Sequence, residues 1–424
     1  MSSSIKSTDK TDALTIFFTG NELGALKPCG CSGGQLGGLD RRSAIFNSAP
    51  KQSRLIIDTG SFVKNDGEQD LIKFNIIFQA FGLLDYDLIS LNEKDIEIGR
   101  NLGLLDDTNT AFSIISSHKT SDLNLPVKFT KKLLLKNKIV TVTVVAFDAE
   151  SEPIEQIREL FGSQTGGQFV NILILNHYDP ATNDSIAGSM PFIDCIVSPA
   201  ESDEPMLMGE PNQKPLVFSV GHFGRHVCGV RITEDNKNRD KLKLSFLDIP
   251  VTEDLAQETF LIELYSDYQQ IVKQHNLLEK HPRFTLSDGL KYEGSDSCTS
   301  CHDYEFIEWM NKPHAKAFST LEKVGSQYDP ECVICHVVGM DYESGFISES
   351  KTPLFKDVGC ENCHGPGSEH NKNPEVVLTT ISEPNSVCIT CHTPEHSNDY
   401  AGNEEEKLQL IKHWREPNEP SNVK

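Results

Sequence analysis

The chain has 424 residues and a formal charge of -23, enough length for two domains with separate cores and no basic stripe to neutralise phosphates, which argues against nucleic acid as a partner. Its longest apolar run, Ile139–Phe147, is too short and too β-branched for a membrane span, so no transmembrane segment is expected. The start, Met1–Lys10, is polar and lacks the apolar stretch of a signal peptide.

From residue 13 to about 250, apolar runs of strand length alternate with helical patterns. The runs are Ala13–Phe18, Arg54–Ile57, Leu88–Leu91, Phe112–Ile115, Val170–Leu175, Phe192–Val197 and Leu216–Val220, each flanked by Gly, Asn, Asp or Pro. Leu71–Leu84 has apolar residues at helical spacing, and Lys136-Asn137-Lys138 reads as a hairpin tip joining Lys132–Leu135 to Ile139–Phe147. Val227–Ile232 and Leu242–Leu247 close the region as two more strands. Such alternation predicts an α/β layered domain with helices covering the sheets. Asp254 to about Glu279 is one long amphipathic helical pattern. Three segments follow: residues 1–250, a linking helix at 251–283, and a C-terminal domain at 284–424 that is mainly α and irregular.

In that last segment strand-like runs disappear and Cys and His become dense. Cys-x-x-Cys-His occurs four times, at Cys298–His302, Cys332–His336, Cys360–His364 and Cys388–His392. In each copy two thiols, Cys298 and Cys301, Cys332 and Cys335, Cys360 and Cys363, or Cys388 and Cys391, can take up the vinyl groups of one haem. The adjacent His302, His336, His364 or His392 then reaches its iron. Zinc is the rival reading, since Cys-x-x-Cys pairs also build structural sites, yet a zinc ribbon gives no reason for His after each second Cys. The expectation is therefore four c-type haems, with the porphyrins serving as much of the core.

Eight of the twelve cysteines are so used. Cys29 and Cys31 are too close for an easy mutual bond. In an oxidising compartment they could cross-pair with Cys195 and Cys228, and Cys195, inside an apolar run, equally fits a buried thiol. Haem attachment of this class takes place outside the cytoplasm, so an exported protein, periplasmic or at the cell surface, is expected.

Candidates for the sixth iron position are His314, His370, His396 and His413, with His275, His281 and Met340 also available. A second protein ligand makes an electron carrier, whereas an open position permits chemistry on a small molecule. The supply favours mostly bis-His sites. Electron transfer to redox partner proteins or to an extracellular acceptor, with self-assembly as a variant, is the leading reading. An enzyme acting on a small nitrogen or oxygen species at an open second haem is the alternative.

Two family resemblances sharpen these expectations. Gly37-Gly38-Leu39-Asp40-Arg41-Arg42, Ile57-Asp58-Thr59-Gly60 and Tyr86-Asp87-Leu88-Ile89 before Asn92 make residues 13–250 resemble the calcineurin-like metallophosphoesterases, in their exported 5′-nucleotidase (UshA-like) branch. Working members hold two metals with Asp-x-His, Gly-Asp, Gly-Asn-His and later His motifs. Here Asn21 and Leu23 stand for the first Asp and His, Ser61 for the second Asp, and Glu93 for the His after Asn92. His177 matches a later ligand, and Ser198-Pro199-Ala200 replaces a Gly-His-x-His segment. A two-metal centre needs those ligands to hold two cations against their repulsion. The resemblance thus implies the fold without hydrolysis, kept as a scaffold for docking or assembly. His222 and His226 read as structural residues, and His118 is unassigned.

The C-terminal segment resembles the tetrahaem cytochromes c that accept electrons from hydroxylamine oxidoreductase. The matching stretches are Trp309–Phe318, Tyr328–Glu331, Gly359–Gly367 running to His370, and His392–Ser397. By that resemblance His314 ligates the fourth haem, His370 the first and His396 the third. The second is the one the family can leave five-coordinate, with Met340, His281 or His413 available to fill it. Gly365-Pro366-Gly367 would let backbone approach a porphyrin face.

Overall fold

The computed structural model describes residues 12–28, 34–106, 110–118, 123–162, 168–210, 213–235, 241–375, 384–394, 396–397 and 399–415. These residues divide into two compact units, with the boundary between Tyr265 and Ser266; Gly34 and Gln35 group with the second.

The first unit carries twelve strands among the described residues. They are β1 (Leu14–Thr19), β2 (Arg54–Asp58), β3 (Leu88–Ser90), β4 (Ser113–Ile115), β5 (Lys128–Leu135), β6 (Lys138–Phe147), β7 (Gln168–Leu175), β8 (Cys195–Val197), β9 (Met206–Met208), β10 (Leu216–Ser219), β11 (His226–Glu234) and β12 (Leu242–Pro250). Its helices are α1 (Arg42–Phe46), α2 (Glu68–Leu83), α3 (Glu93–Asn101), α4 (Gln156–Phe161), α5 (Pro180–Ser189) and most of the first half of α6 (Thr259–Gln274). One sheet runs β12-β11-β1-β2-β3-β4 and the other β5-β6-β7-β8-β10-β9. β1 to β4 are parallel neighbours, as are β6, β7, β8 and β10. Parallel pairs need crossovers, and α2, α3, α4 and α5 supply them.

The two sheets share one core. Alternate residues of β6, Val140, Val142, Val144 and Ala146, pack with Ile16 and Phe18 of β1, Ile57 of β2 and Phe218 of β10. The intervening Val145 and Phe147 turn outward onto Ile157, Phe161 and Ile186 of α4 and α5. This two-residue period is what a strand buried on both faces requires. Phe18 and Phe218 meet edge-to-face at 5.2 Å, and each fully buried side chain of this size contributes about 1.5–3 kcal/mol. Cys195 and Cys228 are buried thiols of this core, neither in a disulfide. Cross-pairing with Cys29 and Cys31 is therefore absent for Cys195 and Cys228, while Cys29 and Cys31 lie outside the described residues.

Two elements differ from expectation. β9 is a three-residue edge strand antiparallel to β10, too short to leave a period. The long pattern 254–279 is not one helix. Its first residues are tied down as loop, with the Glu258 N–H on the Asp40 carbonyl at 2.8 Å, and Asn276 at φ 54° ends α6 before α7 (Leu277–Lys280).

The second unit consists of short helices: α7, α8 (Asp303–Met310), α9 (Ala317–Val324), α10 (Pro330–Val333), α11 (Cys360–His364), α12 (Ser368–Lys372), α13 (Pro384–Cys388) and α14 (Glu404–Ile411). Its β structure, among the described residues, is two isolated bridges. An apolar cluster of Leu278, Phe318, Leu321, Val333, Val337, Met340, Phe346 and Phe355 gathers around the second Cys-x-x-Cys-His, so this stretch has a side-chain core of its own.

Candidate functional sites

The first, third and fourth Cys-x-x-Cys-His copies each close a helical turn onto their first Cys, while in the second the His336 N–H bonds the Val333 carbonyl at 2.8 Å. The His302 N–H reaches the Cys298 carbonyl at 3.0 Å, and the His392 N–H that of Cys388 at 2.8 Å. The third copy is α11 itself. A turn of this kind puts residues i, i+3 and i+4 on one face, which aligns both thiols and the imidazole. The third copy is also capped from inside, because Asn362 accepts the Gly359 N–H at 2.8 Å and donates to the Val337 carbonyl at 2.9 Å.

The folded chain sets imidazoles in pairs. Ring centres of His302 and His370 are 6.2 Å apart, those of His314 and His392 6.2 Å, and those of His364 and His413 6.3 Å. A transition metal takes an imidazole nitrogen at about 2.0–2.1 Å and the ring centre lies about 1.1 Å further back, so two imidazoles on opposite sides of one ion stand about 6.2–6.4 Å apart. The spacing fits one iron between each pair.

Hydrogen bonds orient several of these rings. His336 Nδ1 bonds the Ala317 carbonyl at 2.7 Å, and His392 Nδ1 bonds Ser397 Oγ at 2.9 Å, leaving Nε2 as the outward donor atom in each. His413 Nδ1 is likewise held by the Ile411 carbonyl at 2.9 Å. Burial pushes the His314 imidazole down to about 4, helped by His392, and lowers His336, His364 and His392 as well. All four are thus kept in the neutral form that can ligate a metal. Tyr400 stacks on His392 at 4.8 Å.

The ring beside His364 is His413, which follows α14 in the polar C-terminal stretch. His396, assigned by resemblance to the third haem, bonds Thr393 Oγ1 through Nδ1 at 2.8 Å, and the place beside His364 is taken by His413. Of the candidates for the second site, His281 bonds Asp341 at 2.8 Å, Met340 belongs to the apolar cluster and His413 faces His364. The attachment thiols also neighbour one another across copies. Cys298 neighbours Cys360, Cys335 neighbours Cys391, and Cys363 lies near Cys388 and Cys391. The copies are thus adjacent in the order first, third, fourth, second.

Sequence reasoning passed over Glu361, inside the third copy. Its carboxylate is buried, 4% exposed, and accepts the N–H groups of Glu293, Gly294 and Gly367. The clue was the density of glycines around it, since backbone N–H groups can crowd an anion only where side chains do not intervene.

In the first unit, β1, β2, β3, β7, β8 and β10 end at one cleft of about 550 Å³, open to solvent and lined by Asn21, Thr59, Ser61, Asn92, Asn176 and Ser198 among others. Among the described residues its lining holds no carboxylate and no imidazole. Asn92 caps α3, accepting the Asp95 N–H at 2.9 Å and donating to Ser61 Oγ at 3.0 Å. His177 lies 3.5 Å from Glu150, His118 3.5 Å from Glu93, His222 3.4 Å from Asp203 and His226 2.6 Å from Asp248. Among the described residues no three His, Cys, Asp or Glu side chains converge as a metal site. Near the first-strand loop lies a fully buried cluster. Arg42 pairs with Glu22 at 2.5 Å and donates to Tyr86 Oη at 3.1 Å, while Thr19 Oγ1 contacts both Tyr86 Oη (2.9 Å) and Asp58 (2.6 Å). Burial and then Glu22 lift the Asp58 carboxyl to about 8.

Residues 297–365 match the family model of cytochrome c554 and c-prime. The cytochrome c554-like region is 35% identical over 115 residues to cytochrome c-554 of Nitrosomonas europaea, covering 21% of this chain and 49% of that protein. It is 32% identical over 93 residues to the cytochrome c-type protein NrfB of Escherichia coli, covering 20% and 50%. With the multiheme cytochrome MtrA of Shewanella baltica it shares 30% over 112 residues, covering 22% and 33%. The chain spans half or less of the length of these relatives. The fold is similar to a 5′-nucleotidase precursor from Thermus thermophilus, at TM-score 0.49 and 16% identity over 64% of this chain and 61% of that one. It is also similar to the calcineurin-like phosphoesterase YfkN of Bacillus subtilis, at TM-score 0.48 and 13% identity over 62% and 98%. Among the described residues no helix is long and apolar enough to cross a membrane.

Proposed function

We propose that this chain is an exported multihaem cytochrome whose C-terminal region binds four c-type haems and passes electrons between redox partners, or onward to an extracellular acceptor. The observation that carries this reading is the set of three imidazole pairs at 6.2–6.3 Å, each combining a motif His with a His far away in sequence. Bound haem supplies one-electron chemistry at iron.

The chain's own residues do the rest. Eight thiols, Cys298, Cys301, Cys332, Cys335, Cys360, Cys363, Cys388 and Cys391, anchor the groups. His302, His336, His364 and His392 would hold the irons, with His370, His413 and His314 as second ligands at the first, third and fourth sites. Nδ1 bonds at His336 and His392 fix ring direction. The adjacency of the copies in the order first, third, fourth, second supports a short relay. The first unit, with a neutral cleft in place of a metal centre, serves as a scaffold for docking or self-assembly.

The matured protein tests this by its ferric spectrum. Low-spin bis-imidazole signals from the sites of His302, His364 and His392 are expected. A colourless protein, or zinc at the thiols, would refute the proposal.

A further inference from the structure

A charged side chain inside a Cys-x-x-Cys-His has no role in attaching haem, so the burial of Glu361 needs another cause. Its Oε2 accepts the Gly294 N–H at 2.7 Å, and its Oε1 the Gly367 N–H at 2.7 Å. The Glu293 N–H is shared by both oxygens at 3.0 Å. Charge-assisted bonds of this kind are short and strong, and a carboxylate can satisfy three donors where an amide cannot.

The donors belong to two different segments. Gly294 immediately precedes the turn Ser295–Cys298 that opens the first attachment copy. Gly294 takes φ 83°, and a Cβ there would meet Leu354 at 2.5 Å. Gly367 caps α12, which carries His370. Beside the carboxylate the same two segments are stitched three times more, by the Lys291 N–H on Ser368 Oγ at 3.0 Å, the Ser368 N–H on the Lys291 carbonyl at 3.3 Å and Asn371 Nδ2 on Ser297 Oγ at 3.2 Å.

We infer that Glu361 is a positioning residue for the first haem site: from within the third copy it sets the register between the first copy's turn and α12, and so holds His370 across from His302. The inference rests on the proposed axial role of that pair. It means that the third copy builds part of the first site, and that the two cannot be altered independently.

The test uses the matured, haem-loaded protein. Glu361→Gln keeps shape but sets an NH₂ against backbone donors. One iron's worth of low-spin signal should convert to high-spin, with the His314–His392 site unchanged, and Glu361→Asp should recover part of it. His370→Ala should give the same high-spin species; an unchanged spectrum there would overturn the axial assignment and the inference built on it, whereas a converted one leaves Glu361 to be judged by its own variants. A Glu361→Gln spectrum identical to the parent would overturn the latch. If that variant fails to mature, Glu361→Asp, which shortens the reach to the same three donors, decides: a partial conversion at the first site supports the inference and a spectrum identical to the parent's refutes it.

Discussion

Glu22→Gln removes a charge from the buried cluster of the first unit while keeping its shape. In the parent, Arg42 and Glu22 are both fully buried and 2.5 Å apart. Asp58 is held protonated at neutral pH because burial and Glu22 lift it to about 8, so the cluster is electrically neutral. Breaking a buried pair by removing one partner costs about 3–5 kcal/mol. The structure says which end of that range applies. Once Glu22 is neutral, one of the influences raising Asp58 is gone while Arg42 still lowers it, and Asp58 can ionise and take over as the counter-charge. Near pH 8 the cost should fall to about 3 kcal/mol, and near pH 5, where Asp58 keeps its proton, it should approach about 5 kcal/mol. At about 2–4 °C per kcal/mol for a unit of this size, the melting temperature drops by about 6–12 °C at pH 8 and about 10–20 °C at pH 5. Calorimetry across that range checks it. A variant melting within 2 °C of the parent, or a cost that grows with pH, would refute the reasoning.

Asp58 itself gives a second test. A carboxyl raised from 3.8 to about 8 on folding stabilises fully below pH 4, and that contribution is lost by up to about 1.4 kcal/mol per pH unit on the way to pH 8. Asp95, buried and lifted to about 6, adds the same sign over the lower half. Urea unfolding of Asp58→Asn at pH 5, 6, 7 and 8 should give a flatter profile than the parent and greater stability at pH 8. His413→Ala should convert the iron at His364 to high-spin in ferric spectra, whereas His396→Ala should leave them as they are. Cys195 and Cys228, buried and pushed up by burial, should resist thiol reagents in the native protein and react only on unfolding.

Most of the fold was legible because strand periods are local. The β5–β6 hairpin, the parallel strands and α2 all show in their own residues. The break at Asn276 was not, since Leu277 and Leu278 continue the apolar period past the left-handed turn. The four Cys-x-x-Cys-His motifs are legible for the same reason as the strands, each being complete within five residues. Distal imidazoles are a different matter. His314 and His370 sit in recognisable stretches, but His413 lies in a polar tail whose local pattern says surface, and only the folded path of α14 brings it to His364. No local pattern marks Glu22, Arg42 and Glu361 as buried, yet all three are. Burial of a charge is decided by long-range packing, which periodicity does not encode.

The most direct measurement is the electron paramagnetic resonance spectrum of the ferric, matured protein, taken with its haem content per chain. Four haems are expected, with low-spin bis-imidazole signals that disappear one site at a time in His370→Ala, His413→Ala and His314→Ala. Fewer haems, or a spectrum indifferent to all three substitutions, would contradict the account.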